Sequence, residues 1–292
     1  MTANESKDNF FSTNLSLNCG GKILDLSIPR IMGIINVTPD SFYDGGKYIE
    51  PRIAVDKAGE LLEQGADILD IGAESSRPGA NRVDPGEEEE RLLPVIEQVR
   101  KSYPDAIISL DTTKSSLAYK MIEKYQVNII NDISAFEDDA EMVDAISKLQ
   151  VPYIVMHMKG TPSNMQLSPQ YENVVDEIIA FFSEKITILK KKGINDIVID
   201  PGFGFGKSLD HNYQLLANLH DFQLFELPIL AGISRKSMVS KLLNTSAKNS
   251  LNGTTALHMI LLLKGVNILR VHDVNEAREA IKIFLETKKY QW

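Results

Sequence analysis

The chain has 292 residues, 43% of them hydrophobic and 24% charged, a composition typical of a globular protein with room for one barrel or two ordinary domains. The formal net charge of -9 argues against a general nucleic-acid binder, which would show a basic stripe. We expect no secretory signal, membrane span or zinc cluster, and the single cysteine, Cys19, favours the reducing cytoplasm because it can form no internal disulfide.

The first predicted element is a β-hairpin that follows a loose, polar tail over residues 1–14. Its two short strands, residues 15–17 and 23–24, flank the turn signal Cys19-Gly-Gly21. From there a short apolar strand, a loop and an amphipathic helix alternate along the chain. The predicted strands are residues 31–35, 68–71, 107–110, 128–130, 153–156, 197–199, 229–231 and 268–271.

The predicted helices lie between and after these strands. They cover residues 53–64, 87–101, 115–125, 139–149, 171–192, 212–219, 236–243, 251–263 and 275–288. The acidic run at 87–90 is interpreted as the solvated start of its helix. Because no Pro/Gly/Ser-rich linker divides this βα alternation, it predicts an α/β fold: a single (β/α)8 TIM barrel over residues 15–292, preceded by the hairpin. A doubly wound open sheet is the alternative.

Polar residues follow every predicted strand, and a barrel brings all strand ends together at one rim. Carboxylates and amides that suit the edge of a flat, donor-rich heterocycle are Asp111, Asn131 and Asp200, with Lys236 as a donor. Cations that suit phosphate oxygens are Arg77, Arg270 and His272. Asn36 offers an uncharged oxygen to Mg²⁺ if phosphates supply most of the remaining ligands. Each residue alone could be a helix cap or a core polar group, but their convergence favours a binding site. His157, His220 and His258 are interpreted as structural or surface histidines.

The segment Asp200-Pro-Gly-Phe-Gly-Phe-Gly-Lys207 predicts a loop that opens from a buried strand. Its glycines allow backbone and ligand to approach closely, and Phe203 or Phe205 is expected to form a wall of the site. The alternative is that Asp200 caps the next helix and the glycines merely turn the chain. The segment lacks the spacing of a nucleotide-binding P-loop, which argues against a nucleoside triphosphatase.

Five segments, in order, resemble the dihydropteroate synthase family. They are residues 34–42, 74–79, 200–207, 234–236 and 270–272, and the resemblance extends from about residue 16 to the C-terminus. It implies a barrel enzyme of folate biosynthesis, commonly a homodimer. Such an enzyme joins (7,8-dihydropterin-6-yl)methyl diphosphate to 4-aminobenzoate, releases 7,8-dihydropteroate and diphosphate, and is the target of sulfonamides, which mimic 4-aminobenzoate.

The resemblance also implies roles for individual residues. Pterin would contact Asp111, Asn131, Asp200 and Lys236, of which Asp111, Asp200 and Lys236 would be catalytic. Diphosphate would contact Asn36, Ser76, Arg77, Arg270, Val271 and His272, with Asn36 also on Mg²⁺. The 4-aminobenzoate pocket would use Phe42, Ser76, Pro78, Phe205, Lys236 and Ser237, partly on loops 38–48 and 76–86.

One position departs from the family pattern, because Ser76 stands where the family often has threonine. Its hydroxyl should keep a hydrogen bond while packing against the aminobenzoate loosens. Ionisation before attack and direct displacement both stay open. The competing hypotheses are a methyltetrahydrofolate-dependent methyltransferase, a non-catalytic pterin-binding paralogue and a sugar-phosphate barrel enzyme. The diphosphate-type cations argue against the first, and the lack of an obvious acid–base pair argues against the last.

Overall fold

The structure, a computed structural model, describes residues 15–37, 51–74, 79 and 83–290. The N-terminal hairpin consists of β1, Ser16–Cys19, and β2, Lys22–Asp25, paired antiparallel. Eight parallel strands follow. They are β3 Arg30–Asn36, β4 Ile68–Gly72, β5 Ile107–Asp111, β6 Ile129–Asp132, β7 Tyr153–Met156, β8 Ile197–Asp200, β9 Leu230–Ala231 and β10 Ile268–Val271. The predicted tail, residues 1–14, lies outside the described part, and the domain extent of 15–292 stays a prediction.

The helices alternate with these strands, as predicted. They are α1 Pro51–Glu63, α2 Pro85–Ser102, α3 Ser115–Tyr125, α4 Glu141–Leu149, α5 Val174–Lys191, α6 Leu209–Ala217, α7 Ser237–Leu242, α8 Leu251–Leu263 and α9 Val274–Lys288. Two short 3-10 helices, Leu219–Phe225 and Ala247–Asn249, precede β9 and α8. The prediction that α5 begins at residue 171 is wrong, because the side chain of Asn173 caps the helix by accepting from the backbone N–H of Val175 at 3.0 Å.

The order of the strands in the sheet follows the chain from β3 to β8, and β10 lies between β3 and β9. A parallel bridge between Ile199 in β8 and Ile229, next to β9, brings the two edges of the sheet together. The confirmed fold is therefore the (β/α)8 barrel. The doubly wound alternative is wrong, because a strand order that reverses at a switch point is absent from the described sheet.

The N-terminal hairpin closes the bottom of the barrel. Leu17 of the hairpin and Leu26 directly after it, each 1% exposed, pack in one apolar cluster with the first inward-facing residue of most strands. Those strand residues are Met32, Ile68, Ile129, Ile154, Val198, Leu230 and Ile268. Full burial of a leucine stabilises a fold by roughly 1.5–3 kcal/mol, so the hairpin contributes to the core as well as covering it. The outward faces of the strands pack against the helices in a second, larger core.

Candidate functional site

The alternation of side chains along the strands places the polar residues inside the barrel. Residues two apart on a strand share a face, and Ile68, Ile129, Val198 and Ile268 face inward at the bottom. Two positions further along the same strands are Asp70, Asn131, Asp200 and Arg270. Asp111 joins them, because it pairs in register with Asn131 across β5 and β6. These residues form the floor of the barrel mouth, the end at which the strands terminate.

Arg270 is the centre of the floor. Its Nε donates to Asp70 Oδ2 at 2.6 Å, and its Nη2 donates to Asp111 Oδ2 at 2.7 Å. Asn131 Nδ2 also donates to Asp70 Oδ2, at 3.2 Å. One buried carboxylate thus orients both an arginine and an amide that the sequence predicts as substrate ligands. Asp70 itself is fully buried, and its Oδ1 has no hydrogen-bond partner within the described residues.

Burial and neighbouring charges shift the pKa values at this floor. Burial raises the pKa of Asp111 to about 7, and the charge of Asp70 adds to the rise while Arg270 opposes it. Burial also raises the pKa of Asp200 above its ordinary value. For Arg270, burial works against the charged form, but Asp70 and Asp111 more than offset this and raise its pKa. Several carboxylates therefore share the cations of a poorly solvated site, the environment in which functional groups are found.

Asp200 ends β8 and opens the glycine turn, residues 202–206. Its Oδ1 accepts from the N–H of Gly202 at 2.8 Å, and α6 is capped by Ser208, so the interpretation of Asp200 as a helix cap is wrong. Gly202 has a φ of +69°, and a Cβ there would lie 1.9 Å from the carbonyl oxygen of His157. Glycine is needed at this position because another backbone segment occupies the space of a side chain.

Lys236 reaches the glycine turn from the loop after β9. Its Nζ donates to the carbonyl oxygen of Phe203 at 2.6 Å and lies 4.4 Å from the ring centroid of Phe205. Burial lowers the pKa of this lysine to about 8, although the charge of Asp200 opposes the shift. The preceding residue, Arg235, has a φ of +55° and forms a two-pronged ion pair with Asp273, which anchors the loop from the other side.

Of the two phenylalanines expected at the wall of the site, the geometry favours Phe205. Its ring packs in a small apolar cluster with Ile133, Met156 and Met165, apart from the main core. The ring of Phe203 is fully buried in the core between strands and helices, so only its carbonyl is available to the site.

A buried charge network joins Glu74, just after β4, to Glu88 in the first turns of α2. Lys114 forms ion pairs with Glu74, at 2.9 Å, and with Glu88, which also accepts from the hydroxyl of Thr112 at 2.7 Å. Glu88 is completely buried. The interpretation of the acidic run as a solvated helix start is therefore wrong for this residue, because the lysine that neutralises it lies on a neighbouring element.

The remaining predicted residues divide into three groups. Asn36 ends β3 and is partly buried, Ser237 begins α7 and is exposed, and His272 follows β10 and is exposed. Val271 has its side chain buried in the core, so only its main chain could contact a ligand. Phe42, Ser76, Arg77 and Pro78 lie outside the described residues.

The interpretation of three histidines as structural or surface residues agrees with the structure. His157 and His258 are buried, and His220 forms a surface pair with Asp221.

Sequence reasoning missed Asp70 and Lys207 as members of the site. The signal for Asp70 was present, since it is a lone charge in the middle of the apolar strand Ile68–Gly72. Lys207 gave no such signal, because a lysine after a glycine-rich loop is ordinarily a surface residue. Its fully buried position depends on how that loop folds back on itself.

Comparison with known proteins identifies the family. The family described as "Pterin binding enzyme" matches residues 32–272. The dihydropteroate synthase of Escherichia coli K12 is 41% identical over 285 residues, covering 95% of this chain and 100% of the relative. The Haemophilus influenzae enzyme is 42% identical over 275 residues, covering 94% and 99%. The chain belongs to the dihydropteroate synthase family.

Solved structures of dihydropteroate synthases share the whole fold. The Yersinia pestis enzyme in a sulfonamide drug complex superposes with a TM-score of 0.88 at 42% identity, over 94% of this chain and 100% of that one. The Xanthomonas albilineans enzyme with 4-aminobenzoic acid gives 0.88 at 39% identity, over 96% and 100%. The same enzyme with 7,8-dihydropteroate gives 0.84 at 36% identity, over 94% and 100%. The predicted family and enzyme class, a transferase of folate synthesis, are thus confirmed.

Proposed function

We propose that the barrel mouth joins (7,8-dihydropterin-6-yl)methyl diphosphate to 4-aminobenzoate, giving 7,8-dihydropteroate and diphosphate. The observation that carries the residue roles is the convergence of Asp111, Asn131, Asp200 and Arg270 on one floor, with Lys236 directed at the turn after Asp200. The product complex of the Xanthomonas albilineans enzyme supports this pair of substrates, since that fold matches this chain over nearly its full length.

The pterin is proposed to lie on the floor with its amino and ring N–H groups toward the acceptors. Asp200 and Asp111 accept from it, Asn131 offers both an oxygen and an N–H group, and Lys236 donates to a ring oxygen or nitrogen. Hydrogen bonds to charged groups are worth roughly 1.5–3 kcal/mol each, more than neutral ones. The small apolar cluster that contains Phe205 and Met156 gives the flat ring a face to rest on.

The diphosphate is proposed to bind above Arg270 and His272, at the end of β10, with the main chain of Val271, Ser76 and Arg77 as further contacts. In the structure, Nε and Nη2 of Arg270 pair with Asp70 and Asp111. When the pterin takes the oxygen of Asp111, the Nη2 of Arg270 is released for a phosphate oxygen, while the contact of Nε with Asp70 keeps the side chain in place. The binding of one half of the substrate thus prepares the site for the other.

The chemistry follows from these charges. As diphosphate leaves, negative charge gathers on its oxygens and positive charge on the pterin methylene carbon. Arg270, Arg77 and His272 stabilise the first, and the carboxylates of Asp111 and Asp200 stabilise the second. The arylamine then attacks the carbon, and its alignment supplies much of the rate. Both the ionising and the direct displacement routes use this arrangement, and neither needs a covalent enzyme nucleophile.

Magnesium is proposed to be held by Asn36 together with the diphosphate. The side-chain amide of Asn36 lies at the end of β3 and has no hydrogen-bond partner among the described residues. No group of three or more His, Cys, Asp or Glu side chains that could hold a metal occurs in the described part of the chain. One amide oxygen fits a hard ion that takes most ligands from phosphate and water. When bound, Mg²⁺ would neutralise charge on the leaving diphosphate.

The 4-aminobenzoate pocket is proposed to lie between the ring of Phe205, the stem of Lys236 and the start of α7 at Ser237. The close approach of Lys236 to the Phe205 ring supports it, because the pair offers an apolar surface beside a cation, which suits an aromatic carboxylate. Phe42, Ser76 and Pro78, from the two loops outside the described residues, would complete the pocket.

A homodimer and a cytoplasmic location complete the proposal. The second half of helix α8 is apolar on nearly all faces, its Ile260 and Leu263 are exposed, and Leu242 and Leu243 of the α7 region are exposed as well. A helix that is apolar all round is normally buried, so a second copy would cover this surface. Sedimentation of the purified protein measures whether it forms a dimer.

The single cysteine supports a location in the reducing cytoplasm. No helix in the described part of the chain is long and apolar enough to span a membrane.

The decisive experiment measures diphosphate release by the purified protein with the pterin diphosphate and Mg²⁺, with and without 4-aminobenzoate. Release that depends on 4-aminobenzoate, with dihydropteroate formed in equal amount, supports the reaction. Pterin binding without release would reject the catalytic roles, and no binding at all would reject the site.

The pterin floor is tested separately with Asp200→Ala. Loss of its carboxylate should weaken binding of a phosphate-free pterin at least tenfold in calorimetry, because the ring loses a charged acceptor. Asp210→Ala, an exposed aspartate in the first turn of α6, is the matched control and should leave the affinity unchanged. Equal affinities for Asp200→Ala and the unmodified protein would contradict the assignment.

A further inference from the structure

The glycine turn is held in shape almost entirely by side chains. Each of its five successive carbonyl oxygens accepts a hydrogen bond from a side chain at 2.5–3.0 Å: Gly202 and Phe205 from Lys207, Phe203 from Lys236, Gly204 from Gln166, and Gly206 from Tyr171. Within the turn, the backbone itself contributes the hydrogen bond from Phe205 N to Gly202 O, at 3.1 Å. A segment with three left-handed glycines has little intrinsic preference for one conformation, so these donors decide its shape.

Lys207 makes two of these five hydrogen bonds from a position under the turn. Its side chain is 2% exposed, and its Nζ lies 2.8 Å from Gly202 O, 3.0 Å from Phe205 O and 3.0 Å from His157 Nδ1. A lysine is almost never buried without a partner, yet no carboxylate forms an ion pair with Lys207 in the described part of the chain. The carbonyl oxygen of His157 lies 3.4 Å from the same Nζ, so four acceptors surround the amino group of Lys207 in place of a carboxylate.

The groups that face substrate depend on this turn. The carbonyl of Phe203 fixes Lys236, the ring of Phe205 lies against the same lysine, and the N–H of Gly202 fixes an oxygen of Asp200. Lys207 donates to the carbonyl oxygens of Gly202, which precedes Phe203, and of Phe205 itself, and it forms no hydrogen bond with Lys236 or Asp200. Its effect on the site therefore passes through the backbone of the turn.

We propose that Lys207 is a positioning residue, whose buried Nζ holds the carbonyls of Gly202 and Phe205 inward by hydrogen bonds and so sets the Phe205 ring and Lys236 for 4-aminobenzoate. Gln166 and Tyr171, from the loop before α5, act in the same way on Gly204 and Gly206, each through a single hydrogen bond. This inference rests on the proposed function, since it assigns how that site is shaped.

The test compares Lys207→Met, which keeps an unbranched side chain one atom shorter and removes all donors, with Lys185→Met. Lys185 is also buried, at 7% exposure, but it lies over the rings of Phe136 and Phe181 and pairs with Glu137, and it donates no hydrogen bond to a carbonyl of the glycine turn. We expect kcat/KM for 4-aminobenzoate to fall about 100-fold in Lys207→Met, since small misplacements of reacting groups cost this much, with most of the loss in KM. Lys185→Met should stay within twofold of the unmodified protein, whatever its Tm.

Two further variants keep the proposal testable if Lys207→Met does not fold. Tyr171→Phe and Gln166→Leu each remove one neutral hydrogen-bond donor to the turn. We expect each variant to lose about fivefold in kcat/KM for 4-aminobenzoate. Each should keep a cooperative thermal transition, which shows that it is folded. If the unmodified protein turns over and the folded variants keep kcat/KM within twofold, the positioning role is wrong. If the unmodified protein does not release diphosphate, the proposed function fails instead.

Discussion

Asp111→Asn should make the protein more stable at pH 8 while abolishing its activity. Burial, with the charge of Asp70, raises the pKa of Asp111 from an ordinary value of 3.8 to about 7 in the folded state. A raised carboxyl pKa means that the fold favours the neutral form, so its contribution to stability is complete below about pH 4 and is lost as the pH rises to about 7. The difference between these two pKa values of Asp111 corresponds to about 4 kcal/mol, at 1.36 kcal/mol per pKa unit. A neutral amide of the same shape escapes this cost.

The assay is urea unfolding of both proteins between pH 4.5 and pH 8. The variant and the unmodified protein should be closest in stability at the acidic end and differ most at pH 8, by up to about 4 kcal/mol in the free energy of unfolding. Asp139→Asn is the control of opposite sign, because hydrogen bonds from Ser115 and Glu141 outweigh burial and lower the pKa of Asp139. It should lose stability at pH 8. A loss of stability in Asp111→Asn at pH 8, or a gain independent of pH, would refute the reasoning.

The remaining predictions concern the floor and its charges. The kcat/KM for the pterin diphosphate should be highest between about pH 7 and pH 8, because Asp111 protonates below about 7 and Lys236 deprotonates above about 8; a profile flat from pH 6 to 9 would contradict this. Asp70→Asn should move the acidic side of that profile to lower pH, since removing a like charge lowers the pKa of Asp111. Arg270→Ala should weaken the pterin diphosphate at least tenfold more than a phosphate-free pterin in calorimetry, and equal losses would exclude the phosphate role.

The sequence by itself determined the architecture and the set of residues that meet at the barrel mouth. Apolar strands of two to seven residues alternating with amphipathic helices are local patterns, and all eight predicted strands of the barrel occur in the structure. Once parallel strands are placed side by side, their carboxyl ends lie at one rim whatever the details of the loops. For this reason the sequence alone predicts that four residues meet at the barrel mouth: Asp111, Asn131, Asp200 and Arg270.

The sequence also contains the residues that decide where two helices begin, although hydrophobic periodicity predicts other starts for them. Asn173 and Ser208 are helix-capping residues, and they place the starts of α5 and α6 three residues away from the predicted positions. Tyr171, which periodicity had assigned to α5, instead lies in the preceding loop and donates to Gly206. Capping chemistry decides where a helix begins, whereas hydrophobic periodicity only shows that a helix exists.

Only the tertiary structure decided which charges pair. Asp70 and Arg270 are 200 residues apart, and closure of the sheet brings them to 2.6 Å. Glu88 belongs to a run that reads as a surface helix start, yet Lys114 from another element holds it in the interior. Lys207 is buried where the carbonyls of Gly202 and Phe205, brought together by the folded chain, accept its hydrogen bonds. Side-chain periodicity and turn signals act over a few residues, whereas the energy of a buried charge depends on every group that the completed fold brings within a few ångströms.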